Sequence, residues 1–153
     1  MRDDRRSTCP ISTALEFVGD RWTLLVIRDL MFAGKRHFRE FLQSEEGISS
    51  NVLADRLNSL VKDGVVTRRD DPTHAQKAIY SLTNKGIDLL PVLIAMSGWT
   101  QKYDPATRRP EATALVGRSA KSLKRLEAQL RREHGILGGA DGRGVGSTPA
   151  RGR

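Results

Sequence analysis

The sequence predicts an α+β fold that is mostly helical, on three observations. Apolar residues recur at helical spacing from Ile11 to Val61 and again from Ile87 onward. Between these stretches, Val65-Val66-Thr67-Arg68-Arg69 and Gln76 to Leu82 read as two strands. The segment joining them, Asp70-Asp71-Pro72-Thr73-His74, is a cluster of turn formers.

The elements follow in order. Proline at Pro10 suits the first turn of a helix carrying Ile11, Ala14, Leu15 and Val18, and Gly19 ends it. Asp20 caps the next helix, Trp22 to Phe32. That helix is apolar nearly all round, so it belongs in the interior. After Gly34 comes a short amphipathic segment, Phe38 to Gln43, with Phe38, Phe41 and Leu42 inward. Glu45-Glu46-Gly47 turns the chain, and Ser49 caps a helix from about Ser50 to Asp63 with Leu53, Leu57, Leu60 and Val61 in one stripe. Beyond the two strands, Thr83 caps a long helix from Asn84 to about Tyr103, which Pro91 should kink. Its two apolar stripes exceed what a monomer's surface helix needs, so a second copy of the chain is the simplest cover. A further helix spans Glu111 to His134, and the glycine- and arginine-rich residues 135–153 read as a flexible tail.

The totals limit what such a chain does. At 153 residues there is room for one domain with a modest core. No apolar run approaches a membrane span, and the charged start, Met1-Arg2-Asp3-Asp4-Arg5-Arg6, has no following apolar region, so a cytoplasmic protein without membrane attachment is expected. The net charge of +8 is unevenly placed. Up to Asp104 there are 15 Lys/Arg and 14 Asp/Glu; from Pro105 onward there are 11 and 4. The organisation is thus a main domain over 1–104, an additional basic helix over 105–134 and the tail.

Short helix, turn, second helix, strand, turn, strand, helix is the order of a winged helix-turn-helix, here with extra N- and C-terminal helices. In that arrangement the second helix enters the major groove of double-stranded DNA and the hairpin lies along the neighbouring backbone. The inward stripe leaves Asn51, Val52, Asp55, Asn58, Ser59 and Lys62 outward on the second helix, with Arg56 on its flank. Asn51 suits a bidentate pair with adenine, and Arg56 suits guanine or a phosphate. Lys35, Arg36, His37 and Arg39 stand where phosphates pass the first helix. Arg68, Arg69, His74, Gln76 and Lys77 supply donors on the hairpin, and such contacts position without specifying sequence. Asp55, Glu45 and Glu46 oppose phosphate. The apolar residues that await a partner are Ile11 and Leu15 near the N-terminus and Leu89, Leu93, Met96, Trp99 and Tyr103 on the long helix.

Several fragments together give a more specific reading. They are Cys9-Pro10, Gly19-Asp20-Arg21-Trp22-Thr23-Leu24-Leu25-Val26-Ile27-Arg28-Asp29-Leu30, Phe38-Arg39-Glu40-Phe41, Gly47-Ile48-Ser49, Leu53-Ala54-Asp55-Arg56-Leu57, Asp63-Gly64 and Tyr80-Ser81-Leu82-Thr83-Asn84-Lys85-Gly86. Residues 8–104 closely resemble the HxlR family of winged-helix transcriptional regulators. The resemblance implies a homodimer built from the terminal helices, reading a pseudo-palindromic operator to repress or activate nearby genes, often in aldehyde, quinone or oxidative stress responses. Carried over by position, Ser49 and Ser50 open the recognition helix, Arg56 lies within it and residues 70–77 form the wing. Asn51 and Asn58 depart from the family, which often has basic residues there, and nothing transfers to residues 105–153.

A regulator of this kind answers a signal, and the sequence offers two. Cys9 is the single cysteine and sits at a helix N-terminus near Arg5 and Arg6, a setting that favours the thiolate; the resemblance implies oxidant or electrophile sensing at this position. The alternative is a small apolar ligand held near Trp22, Met96 and Trp99. A third reading is a winged-helix docking module without specific DNA binding, which the near-neutral main domain favours. His37, His74 and His134 have no metal-ligand spacing with one another or with Cys9, no nucleotide loop is formed, and no catalytic set is present, so neither metal, cofactor nor enzymatic activity is expected.

Overall fold

The computed structural model describes residues 7–136. In chain order the elements are α1 (Pro10–Val18), α2 (Thr23–Phe32), α3 (Phe38–Phe41), α4 (Ser50–Lys62), β1 (Val66–Asp71), β2 (His74–Leu82), α5 (Asn84–Ile87), α6 (Leu90–Tyr103), a 3-10 turn (Pro105–Thr107), α7 (Pro110–Val116) and α8 (Ala120–Glu133). This is a winged helix with helices added at both ends.

Local signals account for most of the boundaries. Asp20 Oδ1 accepts the N–H groups of Trp22 and Thr23 at 2.8 and 3.0 Å, which satisfies two orphan donors at the start of α2. Ser49 accepts the Val52 N–H to open α4, and Thr83 accepts the Gly86 N–H to open α5. Gly64, at φ +70°, ends α4 in the left-handed region and turns the chain straight into the hairpin. Gly86 is required for a different reason: a Cβ there would stand 2.5 Å from the Val65 carbonyl oxygen, so only glycine lets α5 lie against the strand entry.

The strands of the hairpin run antiparallel, from Val66 opposite Leu82 to Asp70 opposite Ala78, with an irregularity that then sets Asp71 opposite His74. Both strands extend further toward the tip than the sequence predicts, leaving Pro72 and Thr73 as the connection. Asp71 Oδ1 holds that connection by accepting the Thr73 N–H and hydroxyl at 2.8 and 2.6 Å. The Tyr80 N–H donates to the Arg36 carbonyl at 2.9 Å and so ties the loop before α3 to the sheet.

The core gathers Val26, Ile27, Leu30 and Met31 of α2, Phe41 of α3, and Leu53, Leu57 and Leu60 of α4. Val65, Val66, Tyr80 and Leu82 close it from the hairpin side, and Ile87 and Leu90 from the following helices. Full burial of each such leucine contributes roughly 1.5–3 kcal/mol. Leu130 of α8, 1% exposed, belongs to the same core, so residues beyond Pro105 pack on the winged helix.

Two expected helices are corrected. Asn84 to Tyr103 is not one kinked helix but two: α5 stops at Ile87 and α6 begins at Leu90, with Pro91 in its first turn. Proline lacks the N–H that would bond four residues back and its ring crowds that carbonyl, whereas a first turn needs no such bond. The segment from Glu111 to His134 is likewise divided, into α7 and α8, at Gly117. The expected tail, from residue 137 on, lies outside the described residues, as do Arg5 and Arg6.

Candidate nucleic-acid interface

The entry to the helix-turn-helix is fixed by one carboxylate. Glu40 Oε2 reaches back to accept the N–H groups of Arg36 and His37 at 2.6 and 2.8 Å, so a helix of only four residues has its start satisfied. Burial would raise the Glu40 pKa, but these two N–H groups and His37 outweigh it and hold the carboxyl below its usual range. His37 Nε2 also stands 3.1 Å from Asp71 Oδ2, linking α3 to the base of the wing connection.

A second polar cluster braces the turn between α3 and α4. Asp29, buried on α2, receives Lys35 Nζ at 2.8 Å, Arg28 Nη2 at 2.7 Å and the Ser44 hydroxyl. Arg28 also pairs with Glu46. Burial works to raise the Asp29 pKa, and the donors of Lys35, Ser44 and Arg28 together hold it below the usual carboxylate range. The cluster fixes the loop that presents Ser49.

The recognition helix α4 turns Ser50, Asn51, Asp55 and Asn58 to solvent, with Ser59 half-buried. Val52, expected outward, packs partly against the core. Arg56 is drawn to the side: its Nη1 lies 3.2 Å from Asp20 Oδ2, the carboxylate that caps α2. Among the cations ahead of α4, Arg39 is exposed, whereas Lys35 is engaged by Asp29 and Ser44. Arg36 is held by the C-terminal end of α8, donating to the Glu133 carbonyl at 3.2 Å and to His134. On the wing, Arg68, Arg69, His74 and Lys77 are exposed; the side chain of Gln76 lies outside the described residues. The structure therefore brings Ser50, Asn51, Asp55, Arg39 and the wing cations to the surface, and gives Lys35, Arg36, His37 and Arg56 intramolecular partners.

What sequence reasoning missed is the far end of the chain. His134 is 4% exposed, and its Nδ1 accepts the Leu82 N–H. No local signal marks it, because its partners lie in distant elements.

The expected partner-seeking residues divide into two groups. Ile11, Leu15, Met96, Trp99 and Tyr103 are 71, 60, 51, 68 and 65% exposed, large apolar side chains left bare on α1 and on α6. Leu89 and Leu93 are half-buried against the chain's own core. Cys9 is exposed at the N-cap of α1. A cavity of about 340 Å³ lies beneath α1, lined by Pro10, Ala14, Phe17, Val65 and Leu89 with Lys85 at its edge. It is distinct from the Trp22, Met96 and Trp99 neighbourhood expected for a ligand.

A family model for HxlR-like helix-turn-helix proteins matches residues 17–108. The chain belongs to the HxlR family. It is accordingly a winged-helix transcriptional regulator of the DNA-binding helix-turn-helix kind. The chain is similar to the HTH-type transcriptional regulator YdeP of Bacillus subtilis, 34% identical over 104 residues that cover 68% of this chain and 80% of that one. It is 36% identical over 96 residues to the HTH-type transcriptional regulator YodB of the same organism, covering 62% of this chain and 85% of YodB. Among solved structures, PA1607 superposes with a TM-score of 0.60 at 35% identity, over 69% of this chain and 70% of that one. The redox regulator HypR in its oxidized form gives 0.55 at 31% identity, over 61% and 96%. The HxlR match ends at residue 108, before α7 and α8. Among the described residues no helix is long and apolar enough to cross a membrane.

Proposed function

We propose that this HxlR-family chain works as a homodimer that reads a pseudo-palindromic operator, represses the adjoining genes and catalyses no reaction. The observation that carries the dimer is the apolar face of Ile11, Leu15, Met96, Trp99 and Tyr103, left bare on α1 and α6. Bare apolar side chains of this size mark association surfaces, and a second copy of the chain covers them by an isologous two-fold contact. Two recognition helices so related would enter successive major grooves about one helical turn apart. Asn51 and Ser50 reach base edges, while Arg39, Arg68, Arg69, His74 and Lys77 hold phosphates. Lys35, His37 and Arg56 contribute by fixing the reading head. The setting is the cytoplasm.

The signal is assigned to Cys9. Its thiol is exposed beside the proposed dimer face, and the similar structures include a redox regulator. Oxidation would join two Cys9 sulfurs, one from each subunit, with two electrons and two protons passing to the oxidant.

The test is fluorescence anisotropy of the purified chain on the DNA upstream of its gene and on a scrambled duplex, with the mass of the free chain measured by sedimentation. A dimer that prefers the native duplex about a hundredfold or more supports the proposal. A monomer that binds neither duplex would overturn it in favour of a docking module.

A further inference from the structure

α8 begins at Ala120, beyond the family-matched residues, yet it is fastened to the winged helix. Leu130 enters the core, Arg131 donates to Asn84 at 2.9 Å and to Asp88 at 3.1 Å, and His134 accepts the Leu82 N–H at 2.7 Å. With Leu126 and Leu130 turned into the core and Leu123 half-buried, the opposite side of α8 presents Lys121, Lys124, Arg125 and Arg132, all exposed. The helix's own acids are occupied elsewhere: Glu127 pairs with Arg131 and Glu133 accepts from Gln129. Among the described residues no acid pairs with any of the four outward cations. The C-terminal end of this helix abuts the wing, since a Cβ on Gly135 would stand 3.6 Å from Arg69 Nη2.

We infer that α8 is a second DNA-contacting element, whose cationic row binds phosphates of the backbone next to the wing. This rests on the DNA-binding reading above. The row's chemistry selects the partner. A membrane-surface helix offers bulky apolar residues for insertion, and here Leu126 and Leu130 are spent on the core. A protein-binding hot spot offers an aromatic anchor, and the row has none. Four unpaired cations spread over about 16 Å of helix instead suit a regular polyanion, and one DNA strand presents about five phosphates over that length. The main domain, with 15 Lys/Arg against 14 Asp/Glu up to Asp104, carries almost no net charge of its own.

The experiment compares the full chain with K121Q/K124Q/R125Q/R132Q on the upstream and scrambled duplexes across about 50 to 200 mM salt. The neutral variant should lower the slope of log affinity on log salt by about 3 to 4 per bound chain. It should do so equally on both duplexes, leaving their ratio and the circular dichroism melt unchanged. The charge-keeping variant K121R/K124R/R125K/R132K should behave as the unaltered chain. An unaltered chain that binds DNA with the same slope as the neutral variant overturns the role of α8 and leaves the winged-helix reading intact. An unaltered chain that binds neither duplex overturns both.

Discussion

His134 Nδ1, just past the end of α8, accepts the backbone N–H of Leu82 at the end of β2 at 2.7 Å. Arg36 donates to the same nitrogen, so the neutral ring keeps its proton on Nε2. Burial, then the positive charge of Arg36, pushes the His134 pKa from 6.5 down to about 4. The unfolded chain therefore binds this proton at higher pH than the folded one. Stability is complete above about pH 6.5 and is lost as pH falls toward about 4, by on the order of 2–3 kcal/mol. Urea unfolding at neutral pH and near pH 4.5 should show that loss in the unaltered chain and a smaller one in His134→Gln. Equal losses in both would remove His134 as the cause.

Asp29 is the carboxylate on which Lys35, Arg28 and Ser44 converge. Asp29→Ala leaves the half-buried Lys35 ammonium without its counter-charge. A cost of about 3 kcal/mol is expected in urea unfolding, as for a broken buried pair. Hydrogen exchange should speed up in the turn from Leu42 to Ser49 before it does so elsewhere.

Asn51 and Arg68 should fail in different ways. Asn51→Ala should cost about 1–3 kcal/mol on the preferred duplex and nothing on a scrambled one. Arg68→Ala should weaken both duplexes alike and reduce the salt slope by about 1. Anisotropy on the two duplexes separates these outcomes, and a uniform loss for Asn51→Ala would place it on the backbone.

Diamide treatment should release the unaltered chain from DNA and yield a covalent dimer on a non-reducing gel, while Cys9→Ser stays bound and non-covalent. Release of Cys9→Ser by the oxidant would move the sensor to another group.

Much of the fold was legible because its boundaries are set by local chemistry. Asp20 and Ser49 each cap the helix expected of them, and Thr83 opens a helix at the expected place, though one that ends at Ile87. The misreadings have specific causes. Asp70 and Asp71 are turn formers by type, but pairing across the hairpin draws them, with His74, into the strands. Pro91 starts a new helix in place of the kink expected within one, because its missing N–H fits a first turn. For the interface, outward placement followed from the leucine stripe of α4, which is why Asn51 and Asp55 stand where periodicity put them. The pairing of Arg56 with Asp20 and the contact of Arg36 with His134 join residues far apart in sequence, and no spacing rule reaches that distance.

Leu130 completes a core whose other members end at Leu90. A ribosome releases the chain from its N-terminus, so every part of the reading head emerges while this slot is still open. The core is closed only once α8 has been made, and a message cut short after the hairpin yields a recognition helix on an unsealed interior, a substrate for proteolysis rather than a competitor for the operator.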